Sequence, residues 1–553
     1  IGCQNVGIGA AALDANTEGN FNTTVGYASL SANTTADNNT AVGFKALTAN
    51  TTGACNIAIG TCAMDSTTTS SSSIAIGFQA LQATNTNGSN LAIGRRALCL
   101  TTSGKCNIGI GDGSLLTNTT GDQNTAVGYE TLELNTTGGA NTALGWRTLE
   151  KNTTAICNTG LGKEALTNNT TGASNTAVGA GSLSTNTTGA SNTAIGLCSL
   201  NANTTASDNT AVGKDALLST TTGCRNTAIG LGAIKCNVTG LRNTGVGYAS
   251  LVNNTANNNS ALGYDSLVLN TSGADNVAIG HCSLRANTTA SNNTSVGSYS
   301  LQANTTGSNN IAIGKDTLDA NTTANYNIAI GGVSLGANTT GCENTAVGYA
   351  SLNTNTTGDN NIAVGYAALN KNTTADNNSA LGYYALACNT TADNNTAVGS
   401  CALKAGTSAH SNVAIGACAL ATTTTVGLQT AVGFCALKSS TSGTGNTAVG
   451  YFSNKLNTTG ANNVAVGREA LEANTTGAGN TAVGYQSLTA NTLGSTNTAL
   501  GQLAMCANTE GVSNTGVGRL ALAKNTTGNC NVAMGEQALR CATTASNNTA
   551  IGF

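Results

Sequence analysis

Cysteine, histidine and the acidic residues are the side chains of this chain from which catalysis or metal binding would be expected. The 553 residues include 18 cysteines, and none has the C-x-x-C spacing of a zinc site. The two histidines, His281 and His410, are far apart in the sequence. No Ser-His-acid set, paired carboxylate or phosphate-binding loop is evident. We therefore expect neither an enzyme nor a cofactor or metal site.

Asparagine is the second candidate, because the triplet Asn-Thr-Thr recurs and is an N-glycosylation sequon. The same asparagines have an alternative role, since asparagine side chains that stack at regular intervals can form a hydrogen-bonded ladder. Bulky glycans would not all fit on side chains stacked about 4.8 Å apart, which favours the ladder. Representative candidates are Asn33, Asn118, Asn186, Asn304 and Asn389.

Tyrosine is the third candidate, because aromatic residues recur directly after a Val-Gly or Leu-Gly pair. Three of them, Tyr349, Tyr366 and Tyr383, follow one another at equal intervals. Such a column could stack on sugars or on another chain. Ordinary packing at the rim of the protein is the alternative and is the commoner behaviour of tyrosine.

A single short phrase positions all of these residues. Asn39-Thr40-Ala41-Val42-Gly43, followed by Leu47 and Asn50-Thr51-Thr52, returns with small changes along the whole chain. Its glycine recurs with a period of seventeen from Gly9 to Gly247, reaches Gly263 after one step of sixteen, and resumes the period of seventeen to Gly552. We count positions from this glycine as position 0, so that Leu47 is at +4. A chain built from one phrase is a repeat protein.

The phrase predicts an all-β fold, a parallel β-solenoid of about 33 coils with one seventeen-residue phrase in each. Seventeen residues are too few for the helix pairs of most α-solenoids. Valine and threonine favour strands, whereas Asn, Gly and Thr clusters favour turns. Equivalent residues should then stack at the spacing of paired strands, about 4.8 Å. We expect the Val/Ile column at −1 and the Leu column at +4 to form the core.

Composition restricts the domain organisation and the partners. Charged residues make up 8% of the chain and its net charge is −3, which argues against nucleic acid as a partner. No apolar run approaches the length that crosses a bilayer, so no membrane insertion is expected. The composition does not shift along the sequence, which predicts one uninterrupted array over residues 1–553. The chain begins and ends inside a phrase, at Ile1 and Phe553, so we expect a segment or processed form of a longer chain whose ends stack head-to-tail.

The phrase Asn-Thr-Ala-Val/Ile-Gly-x-x-Ala/Ser-Leu resembles the head repeats of YadA-type trimeric autotransporter adhesins and, equally, repeats of some phage tail fibres. The resemblance covers essentially the whole chain and implies a left-handed β-roll that trimerises on a cell surface or virion and serves adhesion. The coil is longer than the family's usual coil, and the sequence lacks the family's stalk and membrane anchor. The spacing also resembles, more weakly, that of β-roll ice-binding proteins.

The oxidising setting that this resemblance implies makes cysteine pairing relevant. Cys401, Cys418 and Cys435 are stacked neighbours at a distance compatible with a disulfide. By contrast, three cysteines have no cysteine in an adjacent coil and are either free thiols or links to another chain: Cys157, Cys282 and Cys342.

The leading functional hypothesis is a non-catalytic structural protein, an extracellular adhesin-like shaft or surface filament. Its expected partner is itself, as a trimer or a head-to-tail filament, with surface glycans as a further partner. The alternatives are a phage tail fibre and an ice-binding or glycan-binding β-solenoid.

Overall fold

The computed structural model describes residues 2–83 and 86–553; Ile1, Thr84 and Asn85 lie outside it. The chain forms two compact units, one ending at Asp275 and one running from Asn276 to Phe553. In the described residues all regular structure is β-strand, and none is a helix. A search of these residues for helices long and apolar enough to span a bilayer found none. A single array over residues 1–553 stays a prediction.

Each repeat contributes one short strand. The strands of the first unit are β1 Val6–Ile8, β2 Thr23–Val25, β3 Thr40–Val42, β4 Ile57–Ile59, β5 Ile74–Ile76, β6 Leu91–Ile93, β7 Ile108–Ile110, β8 Thr125–Val127, β9 Thr142–Leu144, β10 Thr159–Leu161, β11 Thr176–Val178, β12 Thr193–Ile195, β13 Thr210–Val212, β14 Thr227–Ile229, β15 Thr244–Val246 and β16 Ser260–Leu262. Those of the second unit are β17 Val277–Ile279, β18 Thr294–Val296, β19 Ile311–Ile313, β20 Ile328–Ile330, β21 Thr345–Val347, β22 Ile362–Val364, β23 Ser379–Leu381, β24 Thr396–Val398, β25 Val413–Ile415, β26 Thr430–Val432, β27 Thr447–Val449, β28 Val464–Val466, β29 Thr481–Val483, β30 Thr498–Leu500, β31 Thr515–Val517, β32 Val532–Met534 and β33 Thr549–Ile551.

Within each unit, consecutive strands pair in parallel and in register with the next repeat. Strand β3 pairs with β4 so that Ala41 lies opposite Ala58, its equivalent in the following phrase. Strand β20 pairs with β21 in the same way, with Ala329 opposite Ala346. The predicted parallel β-solenoid of about 33 coils, one phrase per coil, is therefore confirmed.

The single shortened step, between Gly247 and Gly263, keeps this register. Thr244 still pairs with Ser260, so the missing residue is absorbed outside the strands. The coil is one residue shorter at the corner that follows Asn254. The Asn254 side chain donates to the carbonyl of Ala256, two residues later, whereas the equivalent Asn237 donates to the carbonyl of Gly240, three residues later. The repeat thus tolerates a deletion where no strand pairing is lost.

Backbone hydrogen bonds join each coil to both of its neighbours. The N–H of Gly179 donates to the carbonyl of Leu161 in the preceding coil at 2.8 Å. The N–H of Thr187 donates to the carbonyl of Thr204 in the following coil at 2.9 Å, and its hydroxyl donates to the same oxygen at 3.0 Å. Bonding therefore extends from the strand into the corners of the coil.

The core differs from the sequence-based expectation in the position of the valine and isoleucine column. The leucines at +4 are fully buried, as Leu47 is, but the valine and isoleucine column at −1 points outward, and Ile59 is 37% exposed. The inward side chain of each strand is its central residue, such as Ala41 or Ala58, both fully buried. Side chains of a strand alternate between its faces, so a strand this short turns only its middle residue inward. The assignment of the −1 column to the core was wrong.

The corners need residues with positive φ at fixed positions. Lys45 at +2, Leu47 at +4 and Cys55 at +12 have φ of 54°, 54° and 61°. This left-handed conformation costs an ordinary residue about 1–2 kcal/mol. Full burial of a leucine side chain contributes roughly 1.5–3 kcal/mol, which offsets the cost at +4. The leucine column therefore stabilises the corner that it occupies.

Candidate functional surfaces

Two columns of asparagine run through the interior. In the first, at +7, the amide nitrogen Nδ2 of Asn186 donates to Oδ1 of Asn169 in the preceding coil at 2.7 Å and to the carbonyl of Gly189 at 2.9 Å. In the second, at +13, Nδ2 of Asn175 donates to the same Gly189 carbonyl at 2.9 Å, and Oδ1 of Asn175 accepts from the backbone N–H of Asn192 at 2.9 Å. The two ladders thus meet at one corner carbonyl.

The five candidate glycosylation residues all belong to the +7 ladder and are fully buried: Asn33, Asn118, Asn186, Asn304 and Asn389. Nδ2, the atom that would carry a glycan, is a hydrogen-bond donor in each of them. Attachment of a sugar would remove one of the two N–H donors of Nδ2 and would place a bulky group in the interior of the coil. The structure therefore favours a hydrogen-bonded ladder over glycosylation as the role of these asparagines.

The three stacked cysteines lie at +2 on adjacent coils. Cys401 and Cys418 are half-buried and Cys435 is buried, and all three are free thiols in the structure. Burial raises the pKa of the Cys435 thiol, and the neighbouring Cys418 raises it further. A disulfide between these coils stays a prediction.

The three cysteines considered for links to another chain differ in accessibility. Cys157 is exposed, and Cys342 is half-buried with its sulfur accepting from the backbone N–H of Asn325 at 3.4 Å. Cys282 is only 7% exposed, and its sulfur lies 3.8 Å from Nε2 of His281. Burial leaves Cys282 badly placed to reach a second chain, whereas the prediction stays open for the other two.

The tyrosine column is exposed and continuous. Tyr349 and Tyr383 each stack on Tyr366, with ring centroids 5.6 and 5.5 Å apart, and Tyr384 meets Tyr383 edge-on at 4.5 Å. Tyr366 therefore has a ring stacked on each of its faces and presents mainly its edge outward, whereas Tyr349 and Tyr383 each have one stacked neighbour. Sugars stack on ring faces, so the covered faces favour rim packing or contact with another chain over sugar stacking.

One acidic cluster was missed by the sequence interpretation, which found no paired carboxylates. A carboxylate oxygen of Glu130, one of Glu133 and one of Glu150 all lie within 4.8 Å of one another. Arg147 lies beside them, with Nη2 2.7 Å from Oε1 of Glu150 and Nε 3.5 Å from Oε2 of Glu130. The signal was present, because Glu133 and Glu150 are one full period apart and thus stacked neighbours.

The two histidines belong to different coils of the second unit and lie in different surroundings. The ring of His281 meets Tyr299 edge-on at 5.0 Å, and Nδ1 of His410 lies 3.4 Å from the hydroxyl of Ser411. These contacts join residues that are neighbours along the chain or in adjacent coils, as ordinary packing contacts do.

A further regular surface is the outer strand face, which we define as the outward side chains at −3 and −1 of every strand. At −3 it carries Thr, Ser, Val, Ile or Leu, and at −1 Val, Ile, Leu or Met. None of the strands in the described residues holds a charged side chain, although the chain has 21 Lys/Arg and 24 Asp/Glu. Interface cores are depleted of charge in the same way.

No family model matches the sequence of this chain, and no curated protein matches it significantly.

Proposed function

We propose that this chain is a non-catalytic structural protein that associates with copies of itself to build an extracellular adhesin-like shaft or surface filament. The observation that carries the proposal is the outer strand face, with exposed aliphatic side chains and no charge in coil after coil of the described residues. Ile195 and Ile229, for example, are 40% and 41% exposed. The apolar part of this face is the aliphatic column at −1, which continues from coil to coil, and exposed apolar surface that is contiguous in this way marks interaction sites.

The coil-to-coil bonding supports the mechanical part of the proposal. Pulling one coil from the next requires breaking backbone bonds in the strand and the corners together with both asparagine ladders. Solenoids gain stability from such nearest-neighbour contacts rather than from one large core. A shaft needs this kind of connection, and the extracellular location rests on the resemblance of the phrase to adhesin and tail-fibre repeats.

A second copy is the occupant that best fits the outer strand face. Two such faces present the same uncharged columns at the same coil spacing of about 4.8 Å, so they can pack layer by layer without burying an unpaired charge. A partner rich in charged groups would have to desolvate them without compensation on this face.

Lysine substitution of the outer strand face is expected to dissociate the assembly. In the variant Ile195→Lys/Ile229→Lys, two positive charges are placed two coils apart on the face and would be buried against a partner. Sedimentation velocity should show the wild-type chain as an oligomer and this variant shifted toward the monomer.

The matched control is Thr171→Lys/Thr205→Lys, which adds the same charges, also two coils apart, at exposed positions on a corner. It should sediment like the wild type. A wild-type chain that is monomeric at micromolar concentration, or equal dissociation of both variants, would contradict self-association through this face.

Ice binding is a second candidate, favoured by one observation. The −3 position is threonine in eight successive strands, from Thr125 in β8 to Thr244 in β15. These threonines and the aliphatic residues at −1 form two parallel rows. The rows are about 6.6 Å apart along the strand, and successive side chains within a row are about 4.8 Å apart. A flat, regular and uncharged array of this type is what an ice-binding surface requires.

Thermal hysteresis separates the two candidates. If ice is the ligand, the purified chain should depress the freezing point below the melting point, and Thr176→Lys/Thr210→Lys should abolish the gap. If the chain self-associates and shows no thermal hysteresis, ice binding is excluded and the structural role is the candidate that remains.

A further inference from the structure

The acidic cluster defined by Glu130, Glu133 and Glu150 has the dimensions of a cation site. Glu130 and Glu133 come from one coil and Glu150 from the next, and one carboxylate oxygen of each lies within 4.8 Å of the other two. Oxygen ligands bind Ca²⁺ at about 2.3–2.6 Å, so oxygens around one ion lie up to about 5 Å apart. The three carboxylates therefore fit around a single ion of this size.

The charge of the cluster is only partly compensated. Arg147 pairs with Glu150 at 2.7 Å and with Glu130 at 3.5 Å, and Arg96, two coils earlier, acts electrostatically on Glu133. The three carboxylates still carry more charge than these two arginines offset. Glu133 is half-buried, and its pKa is raised by burial and by the two neighbouring glutamates. A divalent cation would offset the negative charge that remains.

Glu150 provides an independent indication of a ligand. This side chain is buried, with 6% of its surface exposed, and its Oε2 has no hydrogen-bond partner among the described residues. A buried anionic oxygen normally has a donor or a metal ion. Because Oε1 of Glu150 already accepts from Arg147, Oε2 is the oxygen of this carboxylate left to bind a cation.

The surroundings leave room for the ion and its water. A cavity of about 60 Å³ beside Glu130 and Glu133 is also lined by Asp112 and Gly113 and by two arginines, Arg95 and Arg96, of which Arg95 pairs with Asp112 at 3.0 Å. Gly113 occupies position +2 of the preceding coil, where a longer side chain would fill this space. Ca²⁺ completes its shell of about six to eight oxygens readily with water.

We propose that Glu130, Glu133 and Glu150 bind a divalent cation of the Ca²⁺ type and thereby clamp two adjacent coils together. The ligands are all carboxylates, which suits a hard cation rather than zinc or copper. The larger radius and flexible geometry of Ca²⁺ fit the spacing better than Mg²⁺, which demands a tighter octahedron.

The single tryptophan of the chain gives this site its own reporter. Trp146 lies on the same coil as Glu150, and its ring is 5.1 Å from the guanidinium of Arg147, which contacts two of the ligands. Terbium(III), a luminescent substitute for Ca²⁺, should emit when the tryptophan is excited. Added Ca²⁺ should displace the signal, and equal Mg²⁺ should not.

Two variants and one control make the test specific. Glu133→Gln and Glu150→Gln should each weaken terbium binding about tenfold or more. Glu164→Gln, which removes the same charge one coil further on but outside the cluster, should bind as the wild type does. Circular dichroism confirms that each variant is folded, and Glu133→Gln is the safer variant because Arg147 pairs with the other two ligands.

Three outcomes would overturn the proposal: no tryptophan-sensitised emission, emission that millimolar Ca²⁺ fails to displace, or equal emission from the wild type and both cluster variants.

Discussion

Replacing Gly331 with alanine is expected to open the second unit locally, at a cost of about 3–5 kcal/mol. Gly331 has a φ of +120°, and a Cβ built there would lie 2.6 Å from the carbonyl oxygen of Gly348 in the next coil. Because this oxygen belongs to the backbone, it cannot move aside by a side-chain rotation. Hydrogen exchange should show lost protection at the Gly348 amide, which donates to the carbonyl of Ile330.

The adjacent glycine provides the control. A Cβ on Gly332 would meet the ring of Tyr349 at 3.5 Å and the carbonyl oxygen of Lys315 at 3.9 Å, both ordinary contacts, and the φ of Gly332 lies outside the left-handed region. Gly332→Ala should therefore change the free energy of unfolding by no more than about 0.5 kcal/mol. If both alanine variants kept wild-type protection, the stacking of glycine on glycine between coils would be refuted.

Replacing Asn186 with alanine is expected to destabilise the first unit by about 2–4 kcal/mol. The change removes the bonds from Nδ2 to Asn169 and Gly189 and takes away the Oδ1 that accepts from Asn203 at 2.7 Å. It also leaves a cavity in a fully buried position. Denaturant unfolding followed by circular dichroism measures the loss, with local hydrogen exchange as the check on a long repeat array.

The variant Thr188→Ala distinguishes the hydrogen-bonding role of Asn186 from a role of Asn186 as a glycosylation site. Asn186-Thr187-Thr188 is a glycosylation signal, and changing Thr188 destroys the signal while leaving the asparagine in place. Thr188 is exposed, so its loss should cost no more than about 0.5 kcal/mol. Equal destabilisation by the two variants, in protein from a glycosylating host, would instead indicate that a glycan stabilises this corner.

Both predictions concern contacts between coils, and this explains why a chain with so few large apolar residues can fold. Per coil, the buried apolar side chains are one leucine and small alanines, such as Leu47 with Ala41 and Ala46. The interior is completed by asparagine amides that bond within their own coil and to the adjacent coils. The +7 ladder is interrupted, with an unpaired acceptor, where the next coil lacks the asparagine, as after Asn203 and Asn389. A buried polar network is tolerated when its members are satisfied, and periodic stacking satisfies them repeatedly.

The sequence by itself determined the period, the fold class and the stacking of equivalent residues. Phased glycines, a leucine four positions later and Asn-Thr-Thr corners are each local requirements of the coil, repeated often enough to be unambiguous. For the same reason the asparagine ladder could be anticipated, since any residue that recurs once per period lies over its own copy.

The tertiary structure alone decided which columns face inward and which side chains from different columns meet. Val42 and Ala41 are neighbours in one strand, yet the corner geometry turns the alanine inward and the valine outward. Likewise, the period aligns Glu133 with Glu150, but only the turn between +2 and +5 brings Glu130 to them. Periodicity fixes distances along the stack, whereas distances around the coil depend on backbone angles at the corners.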